Sequence, residues 1–227
     1  MELEIVLPEE VPAMTLPNVA FFPQAMMPLH IFEPRYREML KDVLARDRLF
    51  AVAGLDPRKA AQATQFEPPH RVATVGMIRA CQKNADGTSD LLLQGLCRVE
   101  FTEILADTPY RRVRFRVLPS QPVGDAAAIE RLRAEIARLL RLKMKISANS
   151  ARDLYEFVRQ IEDPEMFVDL AAFSLCESAR MKQKLLETLD LRTRLELFAG
   201  EIRHELDQIK LRRRLQGSLP DDQIDAN

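Results

Sequence analysis

The chain has 227 residues, 47% of them apolar and 30% charged, with a formal net charge of -1. That length can bury a substantial core as one large domain or two small ones, and the composition excludes a disordered chain. The near-zero charge excludes a global basic field that would gather nucleic acid or anionic membrane.

The opening MELEIVLPEEV is acidic and lacks the basic and apolar regions of a secretory leader. No apolar run approaches the roughly 18 residues of a membrane span. The expected compartment is therefore the cytoplasm, with no membrane contact. From Leu16 to Tyr36, Pro17, Pro23 and Pro28 each fix φ and remove a backbone donor, so the segment reads as short extended pieces joined by bends. Phe21, Phe22, Met26, Met27, Leu29, Ile31 and Phe32 supply more apolar surface than one small strand needs. Pro34 suits a first helical turn, and Tyr36, Met39, Leu40, Val43 and Leu44 follow at helical spacing. Residues 55 to 70, with Pro57, Pro68 and Pro69, predict a mobile loop.

A strand from about Arg71 to Gln82 is joined by the turn cluster Asn84-Ala85-Asp86-Gly87 to a second, which predicts a hairpin. In that second strand Leu91, Leu93, Cys97, Val99 and Phe101 alternate with Gln94, Arg98 and Glu100, which predicts one buried face. Val113, Phe115 and Val117 alternate with Arg112, Arg114 and Arg116 in a further strand. After Pro119, Pro122 and Gly124 the period changes. Ile129, Leu132, Ile136 and Leu139 mark a helix with Asp125 as its cap, and a second begins near Ser150. Asp163-Pro164 opens a third, a short helix follows Ser178, and Asp190 opens a long one that ends before Gly217. The expected class is α+β. Residues 1-120 form a β-rich subdomain with one helix, residues 121-216 a helical bundle ending in a long helix, and residues 217-227 a disordered tail.

The segment LPNVAFFPQAMMPLHIFEPRY resembles the start of the N-terminal substrate-recognition domain of Lon proteases. DRLFAVAGLD, VGMIRACQKNADGTSDLLLQGLCRVEF, PYRRVRFRVL and DPEMFVDLAAFSLCESARMKQKLLETLDLRTRLELF resemble the same family in the same order. The resemblance is closest to stand-alone bacterial proteins with that domain alone. It implies a PUA-like β pseudo-barrel in the first half and a role in recognising unfolded or degron-bearing polypeptides, either as a recognition module or as an adaptor to a separate ATP-dependent protease. The phosphate-cradling G-x-x-x-x-G-K-[ST] and the G-x-S-x-G and S-x-x-K nucleophile patterns do not occur, so the chain is expected not to be an enzyme and to have no catalytic residues.

Cys81, Cys97 and Cys176 are odd in number and form no C-x-x-C pair, and the histidines are scattered; no disulfide framework, metal or cofactor is expected. The three cysteines read as small apolar residues in or near the core. Phe21, Phe22, Met26 and Met27 are the candidate peptide-binding residues, because Met and Phe on a proline-bent segment make an adaptable apolar surface, and they compete with a reading in which they fill the barrel. Phe66, in the predicted loop, is a further candidate. Glu33 and Arg35, flanking Pro34, read as capping and dipole-compensating groups. Two alternatives stand beside polypeptide binding. One is RNA binding along Arg112, Arg114 and Arg116, against which a solvated strand face is the simpler reading and nucleic acid an improbable partner. The other is a small ligand held in the β domain, as the distantly similar cereblon architecture implies. A homodimer is compatible with the sequence.

Overall fold

The computed structural model describes residues 6-61, 67-121, 125-146 and 152-216. Its elements are β1 (Glu10–Leu16), β2 (Met26–Ile31), α1 (Pro34–Leu44), β3 (Leu49–Gly54), α2 (Pro57–Ala60), β4 (Val72–Lys83), β5 (Ser89–Ala106), β6 (Arg112–Val117), α3 (Ala126–Ile146), α4 (Arg152–Arg159), α5 (Pro164–Leu175), α6 (Ala179–Glu187) and α7 (Leu191–Gln216). The tail at 217-227 and Phe66 lie outside the described residues.

β5 holds the sheet together. It pairs antiparallel with β4 from Ser89 to Glu100, with β2 through its first part and with β6 through its last. β6 also pairs with β1, β1 runs parallel to β3, and β3 returns to β4. Five strands thus close into a ring, and β2 is a flange attached to β5 outside it. The interior of the ring is filled by small and β-branched residues, among them Ala13, Ala51, Ala53, Ala73, Val75, Val99 and Val113, as a narrow barrel requires. The opposite faces of the same strands, through Met14, Phe50, Val52 and Ile78, pack on α1 and on an apolar core that continues into the helices.

One strand serves both cores because it carries a bulge. The partner of β5 moves from Gly76 opposite Gly95 to Val75 opposite Cys97, which leaves Leu96 as the extra residue. An inserted residue reverses which face the odd positions occupy. Leu91 and Leu93 therefore join the core shared with the helices, while Val99 and Phe101 enter the barrel. The expectation of a single buried face is corrected on this point. The bulge also aims Arg98, an even position, at the helices.

The helices start where short polar side chains cap them: Asp125 accepts from Ala128 N–H at 3.1 Å, Asp163 from Met166 at 2.6 Å, Ser178 from Met181 at 3.2 Å and Asp190 from Thr193 at 2.7 Å. α1 differs. Glu33 precedes Pro34 but makes no capping bond, and its carboxylate instead accepts from Arg35 Nε at 2.9 Å. The predicted loop at 55-70 contains the four-residue α2, capped by Asp56, and its ends are bridged between Leu55 and Pro69.

A buried ionic cluster joins the sheet to the helices. Arg98 donates to the Leu186 carbonyl at 3.2 Å, to Glu165 at 3.2 Å and to Asp169 at 2.5 Å. Arg194, fully buried on α7, donates to Asp169 at 3.0 Å, Glu165 at 3.3 Å, the Ser120 hydroxyl at 2.9 Å and the Thr188 carbonyl at 2.8 Å. Breaking such a cluster from one side strands a buried charge, which typically costs about 3 to 5 kcal/mol.

Candidate functional site

Residues 20-25 form a wedge between barrel and helices. The Thr74 hydroxyl donates to the Phe21 carbonyl at 2.5 Å, and the Phe21 ring meets Phe173 of α5 edge-on at 6.3 Å. Gln24 takes a left-handed φ of 61° and donates to the Gly95 carbonyl at 2.9 Å, and Gly95 N–H returns a bond to Ala25 at 2.9 Å. This wedge accounts for two of the sequence candidates. Phe21 and Phe22 are 1% and 0% exposed, so in this conformation they hold the two halves together and offer no surface to a partner. Met27 is buried in the same core.

The Gly95 to Ala25 bond fixes the phase of β2. Odd residues bond to β5, and even residues turn their backbone groups to the outer edge. Pro28 sits at an even position, where its missing N–H costs the ladder nothing. Side chains alternate too: Met27, Leu29 and Ile31 point to the core side, and Met26, Pro28, His30 and Phe32 to the outside. Across the sheet, Met26, Gln94 and Met77 form one row, Pro28, Leu92 and Ala80 the next, and His30, Asp90 and Gln82 the third.

The result is an apolar face with a polar end on each side. Met26 is 41% exposed and Phe32 62%. At one end Arg79 donates to Gln94 at 2.6 Å and Gln94 to Gln24 at 3.1 Å. At the other, His30 Nδ1 lies 2.7 Å from Asp90, and its ring stacks on Phe32 with centroids 6.1 Å apart. Hydrogen bonds from Asn84 and then His30 hold the Asp90 carboxyl below the usual carboxylate range. The histidine is thereby held in place, and Phe32 with it. Phe32 and His30 were not among the sequence candidates; the signal available was their period-two spacing from Met26.

The arginine row on β6 is engaged. Arg112 pairs with Glu10, Arg114 with Glu103, and Arg116 with Glu100, whose carboxylate lies 2.6 Å from Arg116 Nε. Each positive charge on this face has a carboxylate from a neighbouring strand. For the cysteines, Cys81 is exposed on β4 and not in the core, while Cys176 is buried beyond α5. Burial, with Glu205 nearby, pushes the Cys176 thiol up to about 11. Cys176, Glu201 and Glu205 bring potential ligand atoms within 4.8 Å of one another. There the Lys143 ammonium already lies 2.8 Å from both Glu205 and Glu177 and donates to the Leu175 carbonyl, so Glu205 has its counter-charge.

A family model described as the ATP-dependent protease La (LON) substrate-binding domain matches residues 10-204. The chain is 30% identical over 220 residues to a Lon protease of Syntrophus aciditrophicus, covering 95% of this chain and 28% of that protein. It is 27% identical over 221 residues to Lon protease 2 of Thermus thermophilus, covering 97% and 27% respectively. The chain thus spans about a quarter of the length of these curated relatives. Its fold is similar to the N-terminal domain of Mycobacterium avium complex Lon protease, with a TM-score of 0.67 at 18% identity, covering 86% of this chain and 98% of that one. It is also similar to a Lon N-terminal domain protein from Xanthomonas campestris, with a TM-score of 0.60 at 19% identity, covering 84% and 97%.

Proposed function

The chain belongs to the Lon substrate-binding domain family, and from that premise we propose that it is a non-catalytic module that holds unfolded polypeptide on the outer face of β2 and presents it to a separate ATP-dependent protease. The supporting observation is the exposed stripe of Met26, Pro28 and Phe32 beside Leu92, an apolar surface on a rigid sheet. Methionine and phenylalanine adapt to irregular apolar side chains, and the flanking polar ends confine the contact to a strip. Catalysis is not part of this reading, since the chain lacks phosphate-loop and nucleophile patterns.

The test is capture of fluorescently labelled, chemically unfolded casein by Met26→Ser and Phe32→Ser, with Phe22→Ser as a core control. Each surface change removes apolar contact worth about 1 to 2 kcal/mol, so affinity falls roughly tenfold while the melting temperature moves little. Phe22→Ser instead costs about 3 to 5 kcal/mol of stability. Undiminished capture by both well-folded surface variants would remove β2 as the site.

A further inference from the structure

A cleft of about 520 Å³ opens between β5, the segment following β6, and the start of α5. Leu96, Val117 and Pro119 form its β-side wall, Met166 faces them from α5, and Pro23 and Gln24 carry its rim to the beginning of β2. Val117 is 45% exposed, so the wall is accessible apolar surface. The charge along the cleft is unbalanced. Asp163, Glu165 and Asp169 line it, and Arg98 is the sole cation among its lining residues. Counting Arg194 behind them still leaves three acids against two arginines, and both guanidiniums are buried and committed to carboxylates and backbone carbonyls.

Glu165 supplies the specific contact. Arg98, Arg194 and the Ser120 hydroxyl all donate to its Oε1. Its Oε2 has no partner among the described residues, and the side chain is 39% exposed. A carboxylate anchored through one oxygen and open at the other is arranged to accept from a cation that arrives with apolar neighbours. We propose that this cleft takes an extended polypeptide segment in which a lysine or arginine lies between aliphatic residues, the cation meeting Glu165 and the aliphatic side chains covering Val117 and Met166.

The cleft adjoins Gln24, two residues before Met26, so one extended chain lying along β2 can continue into it. The inference takes its class of ligand from the polypeptide-binding reading and its location from a separate surface. A neutral or acidic residue at the same place would leave Oε2 desolvated or repelled, which makes the cleft selective as well as adhesive.

The experiment uses the full chain and acetylated, amidated, fluorescent peptides of sequence Leu-Val-Leu-Arg-Leu, with glutamine or glutamate replacing arginine, read by anisotropy. The arginine peptide is expected to bind about tenfold tighter than the glutamine peptide, and the glutamate peptide more weakly still. Glu165→Gln should abolish that preference. Because Glu165 also supports the fold, Val117→Lys, a change at an exposed position, provides the independent test and should weaken the arginine peptide selectively while unfolded casein is still captured. Equal affinity for the three peptides, or an arginine preference that survives Val117→Lys, would overturn the cleft and leave the β2 reading standing. Failure of the unaltered protein to bind either casein or peptide would overturn both.

Discussion

Gly95 carries no side chain at a point where none fits. A Cβ there would lie 2.1 Å from the Phe22 carbonyl oxygen, and that oxygen belongs to the wedge that fixes the start of β2. Backbone cannot yield as a flexible side chain would, so Gly95→Ala should cost about 3 kcal/mol. Gly200 is the opposite case. It lies in α7 with nothing within 4 Å of the added carbon, and Gly200→Ala should stabilise by about 0.5 to 1 kcal/mol through the lower entropy of the unfolded chain. Urea titration of the two variants checks both signs, and a neutral Gly95→Ala would show that β5 is not held against the wedge. Neither effect was legible in the sequence, where both are isolated glycines. Met26 and Met27 show the same limit at closer range. They are adjacent and chemically identical, and only the hydrogen-bonding phase of β2, set by Gly95, turns one outward and the other into the core.

α5 meets the sheet through charge. Burial works to raise the Glu165 carboxyl, but the Ser120 hydroxyl and the guanidiniums of Arg194 and Arg98 outweigh it and hold the group below its ordinary value of 4.5. A carboxyl depressed in the folded state contributes stability that is fully present above the unfolded value and is lost as pH falls through the folded one. Acid titration of stability should therefore fall more steeply below about pH 4.5 in the unaltered protein than in Glu165→Gln; parallel curves would show that the cluster does not gain from the charge. The helices themselves were readable, because Asp125, Asp163, Ser178 and Asp190 are each followed by apolar residues at helical spacing. The bulge at Leu96 was not. Odd positions of β5 stay apolar on both sides of it, so the pattern runs unbroken while the surface it feeds changes. The partners of the β6 arginines were not legible either: Glu10, Glu100 and Glu103 come from β1 and β5, and a row of like charges along one strand does not reveal what the neighbouring strands bring.

Across the molecule, strands end at Val117 and the run of C-terminal helices begins at Ala126, yet one apolar core runs from Met39 and Phe50 through Phe21 and Phe22 to Phe167 and Phe198. Two halves that share a core and an ionic cluster should unfold together. Hydrogen exchange across a urea titration, read separately for β3 to β5 and for α5 to α7, should give coincident midpoints; a helical half that opens well before the sheet would show the core to be divisible. At the same scale, an open strand edge is a hazard in the polypeptide-holding role proposed above, since a row of unpaired backbone groups can template further strands. Among the described residues β2 pairs with β5 alone, and Pro28 turns toward its free edge with no hydrogen to give. In the proposed role, a polypeptide on this face would be gripped by side chains while Pro28 interrupts any backbone ladder at that edge, which favours release over the growth of a sheet.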